Sequence, residues 1–133
     1  MIRVDWGLQG LRSLAPDSDV LVIVGVLSFT SCVEIALSRE VEVLPYRWRD
    51  ETAAEYARQQ GAELAGDRGS GSRWSLSPAC YRGAPAGMRI VLPSPNGATL
   101  SVEAAGHAAV LAGCLRNAGA TARAARPIER TMT

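Results

Sequence analysis

The run VLVIVGVLSF, from Val20 to Phe29, constrains the fold of this chain more than any other stretch. It lacks the apolar–polar alternation of a strand with one wet face, and its Val and Ile residues, branched at Cβ, favour extended backbone. A bilayer span takes about 20 residues, so the run is too short to cross a membrane. Nor does it read as a secretory signal, because Asp5, Arg12 and Asp17 precede it without a basic cluster or a small-residue cleavage site. The expectation is a strand buried on both faces, of the kind found in parallel sheets covered by helices.

The rest of the chain alternates in the way such a sheet requires. IRVDW reads as a first short strand, followed by a small helix over Leu8 to Leu14. SFTSCVEIALS turns helical, with Ser31 and Glu34 at the spacing of a capping box. VEVLPY is expected as a second central strand. RDETAAEYARQQGAEL carries Asp50 at a helix N-cap, Glu51 in the first turn and Gly61 at the stop. AELAG suggests another short strand. MRIVLP and AAVLAGCL suggest two more, separated by a helix after Asn96, and NAGATARAAR closes as a helix capped by Asn117. This order implies an α/β fold with a mostly parallel sheet, a mixed sheet being the variant left open, and helices on both faces. At 133 residues the chain suits one domain over 1–133 and is too short for two ordinary ones.

Composition excludes several functions. The 14 basic residues barely exceed the 13 acidic ones and form no stripe, so nucleic acid is not expected as a partner. Cys32, Cys80 and Cys114 lie far apart without a CxxC, which argues against a disulfide framework or structural zinc. They read as small apolar residues in a chain of the reducing cytoplasm.

In a parallel sheet the loops after the strands share one edge. Three of them carry unusual chemistry: Ser28-Phe29-Thr30-Ser31, Asp67 to Ser72, and Ser94 to Thr99. Asn96-Gly97 has the look of a hairpin turn, but ATLSVEAAGHAA beyond it has helical spacing, so the segment reads as strand, tight loop and helix. Together the loops offer hydroxyls, glycine-exposed N–H groups, an amide, a guanidinium and a carboxylate. That set suits an oxyanion, with Asp67 able to hold a divalent cation. Blander roles compete: Ser28, Thr30 and Ser31 are typical helix caps, and Asp67-Arg68-Gly69 is a common solvated turn. His107 lacks an evident partner and is left out of the site. Trp48, between Arg47 and Arg49, is explained by stacking on a guanidinium. No Ser-His-Asp order, HExxH or Walker loop occurs. The residues by themselves define an α/β domain with an anion-binding edge.

Several segments carry a resemblance. IRVDWGLQGLRSLAP, DVLVIVGVLSFTSCVEIAL, VLPYRWRDETAAEYARQQGAELAGDRG, LSPA, RIVLPSPNGATLS and VLAGCLRNA run in order as far as Ala118. Together they resemble the 2-phosphosulfolactate phosphatase family, the ComB-like proteins of coenzyme M biosynthesis. The resemblance implies a ComB-like three-layer fold. It also implies a Mg2+-dependent phosphatase that hydrolyses 2-phosphosulfolactate, or a related small phosphorylated acid, to sulfolactate and phosphate. Carried onto this chain, it implies Asp67, Arg68 and Asn96 as catalytic residues, with Asp67 also the metal ligand. Ser28, Thr30, Ser31, Gly69, Ser94 and Gly97 would bind the phosphate. Two departures stand out. Gly25 occupies the position where the family usually carries Asp, and family chains continue well past the segment matching CLRNA. The chain therefore resembles the N-terminal part of the fold. A catalytically silent ligand-binding or interaction domain is the alternative reading, and open strand edges suggest a homo-oligomer.

Overall fold

The computed structural model describes residues 1–25 and 27–131. The chain runs α1 (Gly7–Leu14), β1 (Val20–Val24), α2 (Phe29–Ser38), β2 (Glu42–Tyr46), α3 (Glu51–Gln60), β3 (Glu63–Leu64), β4 (Arg89–Pro93), α4 (Gly97–Ala104), β5 (Ala109–Gly113) and α5 (Ala118–Thr131). Short 3-10 turns occupy Ala15–Asp17, Pro78–Gly83 and Leu115–Asn117. All the strand pairs are parallel, as expected where helices supply the crossovers. The fold is α/β.

Local signals explain several boundaries. The Asp50 carboxylate accepts a hydrogen bond from the Thr52 backbone N–H at 3.0 Å, which caps α3. Gly61 ends that helix in the left-handed region at φ 62°, where a residue with a Cβ is disfavoured. Ala53 and Ala57 form the buried stripe of α3, which packs on β3 and β4.

The sheet departs from expectation in several ways. The strands form two hydrogen-bonded groups, β1 with β5 and β2-β4-β3, with α2 and α4 packing against strands of both. VEVLPY lies at the edge of its group and β4 takes the centre. Pro45 supplies the reason, since it has no N–H to donate to a second neighbour. The Val20 run is buried on one face only. Leu21 and Ile23 point inward, while Val22 and Val24 are exposed.

IRVDW makes no strand. Residues 1–6 pair with no described strand, and Met1, Ile2, Val4 and Trp6 are exposed. Alternation alone does not hold a strand whose backbone groups find no partner. Ser31 also falls inside α2 rather than at its cap, and Glu34 instead meets Arg116 at 2.7 Å. The Asn117 side chain accepts from Cys114 N and donates to Ala112 O, clasping the turn after β5.

Two cores result. One gathers Phe29, Cys32 and Val33 of α2 with Ile90 and Leu92 of β4, and with Trp74 and Tyr81, whose rings stack 5.7 Å apart. The other packs Leu11 and Ala15 against Leu21, Ile23 and Ala104, and the Arg12–Glu103 pair at 2.8 Å ties α1 to α4. No described helix is long and apolar enough to cross a membrane. The three cysteines are free thiols.

Burial pushes the Cys32 thiol up from 9.0 to about 11, outweighing the opposing effects of Ser28 and Arg68. Between those values the unfolded chain loses the thiol proton and the folded chain keeps it. The Cys32 contribution to stability is therefore intact below about 9 and is lost as pH rises. Alkylation with iodoacetamide near neutral pH should leave Cys32 unlabelled in the native protein and label it in denaturant. Rapid native labelling would contradict the buried placement.

Candidate functional site

Three strand-to-helix junctions and the loop after β3 border one cleft of about 540 Å³. The β1–α2 junction contributes Gly25, Leu27, Ser28 and Phe29, and the β2–α3 junction contributes Arg49. The loop after β3 contributes Gly66, Asp67 and Arg68, with Leu76 beyond it. The β4–α4 junction brings Ser94, Pro95, Asn96 and Gly97. Parallel strands present their carboxyl ends together, so loops distant in sequence meet on one rim.

The starts of α2 and α4 approach closely here. A Cβ built on Gly97 would stand 2.4 Å from the Phe29 ring, so only glycine lets the two helix starts come this near. Gly97 N–H donates to Ser94 Oγ at 3.2 Å, and Ser94 N–H donates to Tyr46 O at 3.1 Å, which fastens the loop to the end of β2. The first turns of α2 and α4 both reach the cleft, through Phe29 and Gly97. First-turn N–H groups have no partner within their helix and carry partial positive charge, which favours anions.

Arg68 is fixed by its neighbours. Its Nε and Nη2 donate to Leu76 O at 3.2 and 2.9 Å, and Nη2 also donates to Ser28 Oγ. Ser28 is buried and donates its own hydroxyl proton to Leu76 O. These bonds join the loop after β1 to the loop after β3. The second loop is not a free linker: Gly66 N–H bonds Trp74 O at 2.8 Å, and Trp74 is buried.

The other expected site residues divide. Asn96 borders the cleft at the N-cap of α4, and its amide makes no capping bond. Asp67 borders it too, but its Oδ1 faces Arg49 Nη1 at 3.3 Å. Thr30 does not line the cleft. It is fully buried, and its hydroxyl accepts from Gly25 N–H and donates to Gly25 O. Ser31 borders a different groove, and Gly69 is exposed and outside the cleft lining.

Arg49 escaped the sequence reading, which treated it as a neighbour of Trp48; the guanidinium over that ring, at 5.4 Å, belongs to Arg47. The available signal was positional, because Arg49 follows β2 as the other site loops follow their strands. A magnesium ion held by the protein does not fit this donor set. Among the described residues, Asp67 is the one carboxylate in the cleft lining, and it is engaged by Arg49. Among the described residues no three His, Cys, Asp or Glu side chains cluster as metal ligands.

The model of one protein family, 2-phosphosulpholactate phosphatase, matches residues 11–132. The chain belongs to that family. No protein of curated function and no solved structure matches it. Within this phosphatase family the chain's Gly25 gains meaning from its place in the cleft wall. A Cβ there would lie 3.4 Å from Phe29 Cβ and 3.6 Å from the backbone nitrogens of Phe29 and Thr30. A side chain at position 25 would fit in ordinary contact, next to the first turn of α2.

Replacing Gly97 by Ala should destabilise the protein by about 1–3 kcal/mol, as overpacking does, read from the urea midpoint at unchanged slope. Gly106→Ala is the control, since its Cβ would meet only Glu103 O at 3.8 Å. Equal midpoints for the two variants would show that the contact between the helix starts is not rigid.

Proposed function

We propose that the cleft binds a small phosphorylated acid of the 2-phosphosulfolactate type and that the chain hydrolyses its phosphate ester. The observation that carries this reading is the meeting of a fixed guanidinium, Arg68, with the first turns of two helices in one cleft. Family membership supplies the reaction class. Water would attack phosphorus and the ester oxygen would leave with a proton, giving sulfolactate and inorganic phosphate. Charge builds on the phosphoryl oxygens as the bonds exchange. Arg68 and the first-turn N–H groups are held in place beforehand, so they stabilise that charge without reorganising. The Asn96 amide, free of capping duty, is the group to orient the acid or the water. Magnesium dependence belongs to the family reading. The described donors do not assemble a site for the ion, so any magnesium would arrive with the phosphorylated acid.

A second reading is favoured by Gly25. Where the family usually carries a carboxylate, this cleft has a hydrogen atom, and a domain that binds the acid without turning it over follows directly. The free thiols agree with a reducing cytoplasm as the setting. Self-association is part of the same proposal. Val22, Val24 and Leu115 are exposed along an apolar groove of about 590 Å³, and Ile2, Val4 and Trp6 are exposed on an unpaired extended segment. Apolar surface of this kind favours a second copy as its cover.

Phosphate release from 2-phosphosulfolactate, followed with and without magnesium, separates the two readings. Slow release that rises in Gly25→Asp supports the hydrolase, and binding by calorimetry with no release in either protein supports the silent domain. Neither binding nor release would remove both. For self-association, solution scattering should show a dimer or larger, with Val24→Glu and Leu115→Glu shifting it toward monomer. A monodisperse monomer of the unaltered chain would refute it.

A further inference from the structure

We propose that Arg49 is a second anion-binding guanidinium of the cleft, and that Asp67 is its positioning counterion rather than a metal ligand or proton acceptor. The proposal rests on the reading of the cleft as a phosphate-ester site and specifies how that site is charged. Both side chains border the same cleft. Their contact is a single one of 3.3 Å, with Arg49 44% and Asp67 74% exposed. So open a pair is weakly held and readily exchanged for a better partner.

The contrast with Arg68 gives the arrangement its meaning. Arg68 is bonded to a carbonyl and a hydroxyl that belong to the wall of the cleft. Among the described residues, Arg49 has only the exposed Asp67 side chain to hold it in place. It enters from the β2–α3 junction, one residue before the Asp50 cap, whereas Arg68 enters from the loop after β3. Two guanidinium groups carried by different loops suit a ligand with two anionic groups, a phosphate and a second acid function. Guanidinium binds phosphate in a bidentate fork that Asp67, at one contact, does not provide.

The carboxylate argues in the same direction. An unpaired Asp beside a bound phosphate would repel it. With Arg49 as partner, the Asp67 charge is offset while the cleft is empty, and the pair opens when a stronger anion arrives. Asp67 then acts as a place-holder that keeps Arg49 at the cleft and tempers affinity.

Inorganic phosphate is the probe, titrated calorimetrically into the full chain and its variants with and without magnesium. Asp67→Asn should bind phosphate roughly three- to tenfold more tightly without magnesium, because a repelling charge has gone. Arg49→Ala should weaken binding by about tenfold, and Arg49→Lys should recover part of the loss, a point charge replacing a fork. Melting temperatures should stay unchanged, since both side chains are exposed, so a purely structural role would not produce these shifts. If Asp67→Asn weakens binding and removes an enhancement by magnesium, Asp67 is a metal ligand and the proposal fails. If Arg49→Ala changes nothing while Arg68→Ala abolishes binding, the cleft stands and the role of Arg49 falls. No phosphate binding by the unaltered chain would overturn the cleft reading and this inference together.

Discussion

The ring of Phe29 rests against the backbone of Gly97, with no space between them for even a methyl group. Phe29 opens α2 and Gly97 opens α4, so this contact sets how near the two helix starts come. Each start brings N–H groups that the helix itself does not use. Spread apart, they would be ordinary solvated helix ends. Held together, and joined by Ser94 to the end of β2, they make the floor of one cleft. The rest of the site is placed relative to that floor.

Around it, the chain separates fixed charge from exchangeable charge. Ser28 and the Leu76 carbonyl hold Arg68 from two directions, and each of those groups is anchored in the wall. The hydroxyl of Thr30 is spent on Gly25, bracing the loop after β1 instead of facing a ligand. Asp67 and Arg49 are anchored by little besides each other. On the proposed reading, a cleft with this balance would take an acid before any metal is considered. The proposal thereby separates anion binding from metal-assisted turnover, for which the resemblance would place a carboxylate where this chain has Gly25.

Much of the fold was readable in the sequence because its signals are local. Asp50 and Gly61 mark the ends of α3 through capping and backbone preference, and neither depends on distant residues. The reading of Asn96-Gly97 as a strand-to-helix loop rather than a hairpin held because the following residues have helical spacing. The failures were non-local. IRVDW alternates as a strand does but lacks a neighbour to pair with. The Val20 run is apolar throughout, yet composition does not reveal how completely a helix covers each face, and Val22 and Val24 of β1 stay exposed beside α5. Pro45 did carry a warning that VEVLPY belongs on an edge, and that clue was available from the residue itself.

At the site, the sequence by itself determined which chemical groups follow the strands, and the proposal of an anion as guest starts from those groups. Residue types and the parallel-strand rule are enough for that, since the loops after β1, β2, β3 and β4 meet at one cleft. Only the tertiary structure decided which of those groups face the cleft. Thr30 turned inward to Gly25, Ser31 fell on another surface, and Arg49 arrived from a loop that had been read as surface decoration. The physical reason is that a side chain's direction, and the partner that occupies it, are fixed by packing between segments far apart in the chain. Local sequence carries no record of that packing.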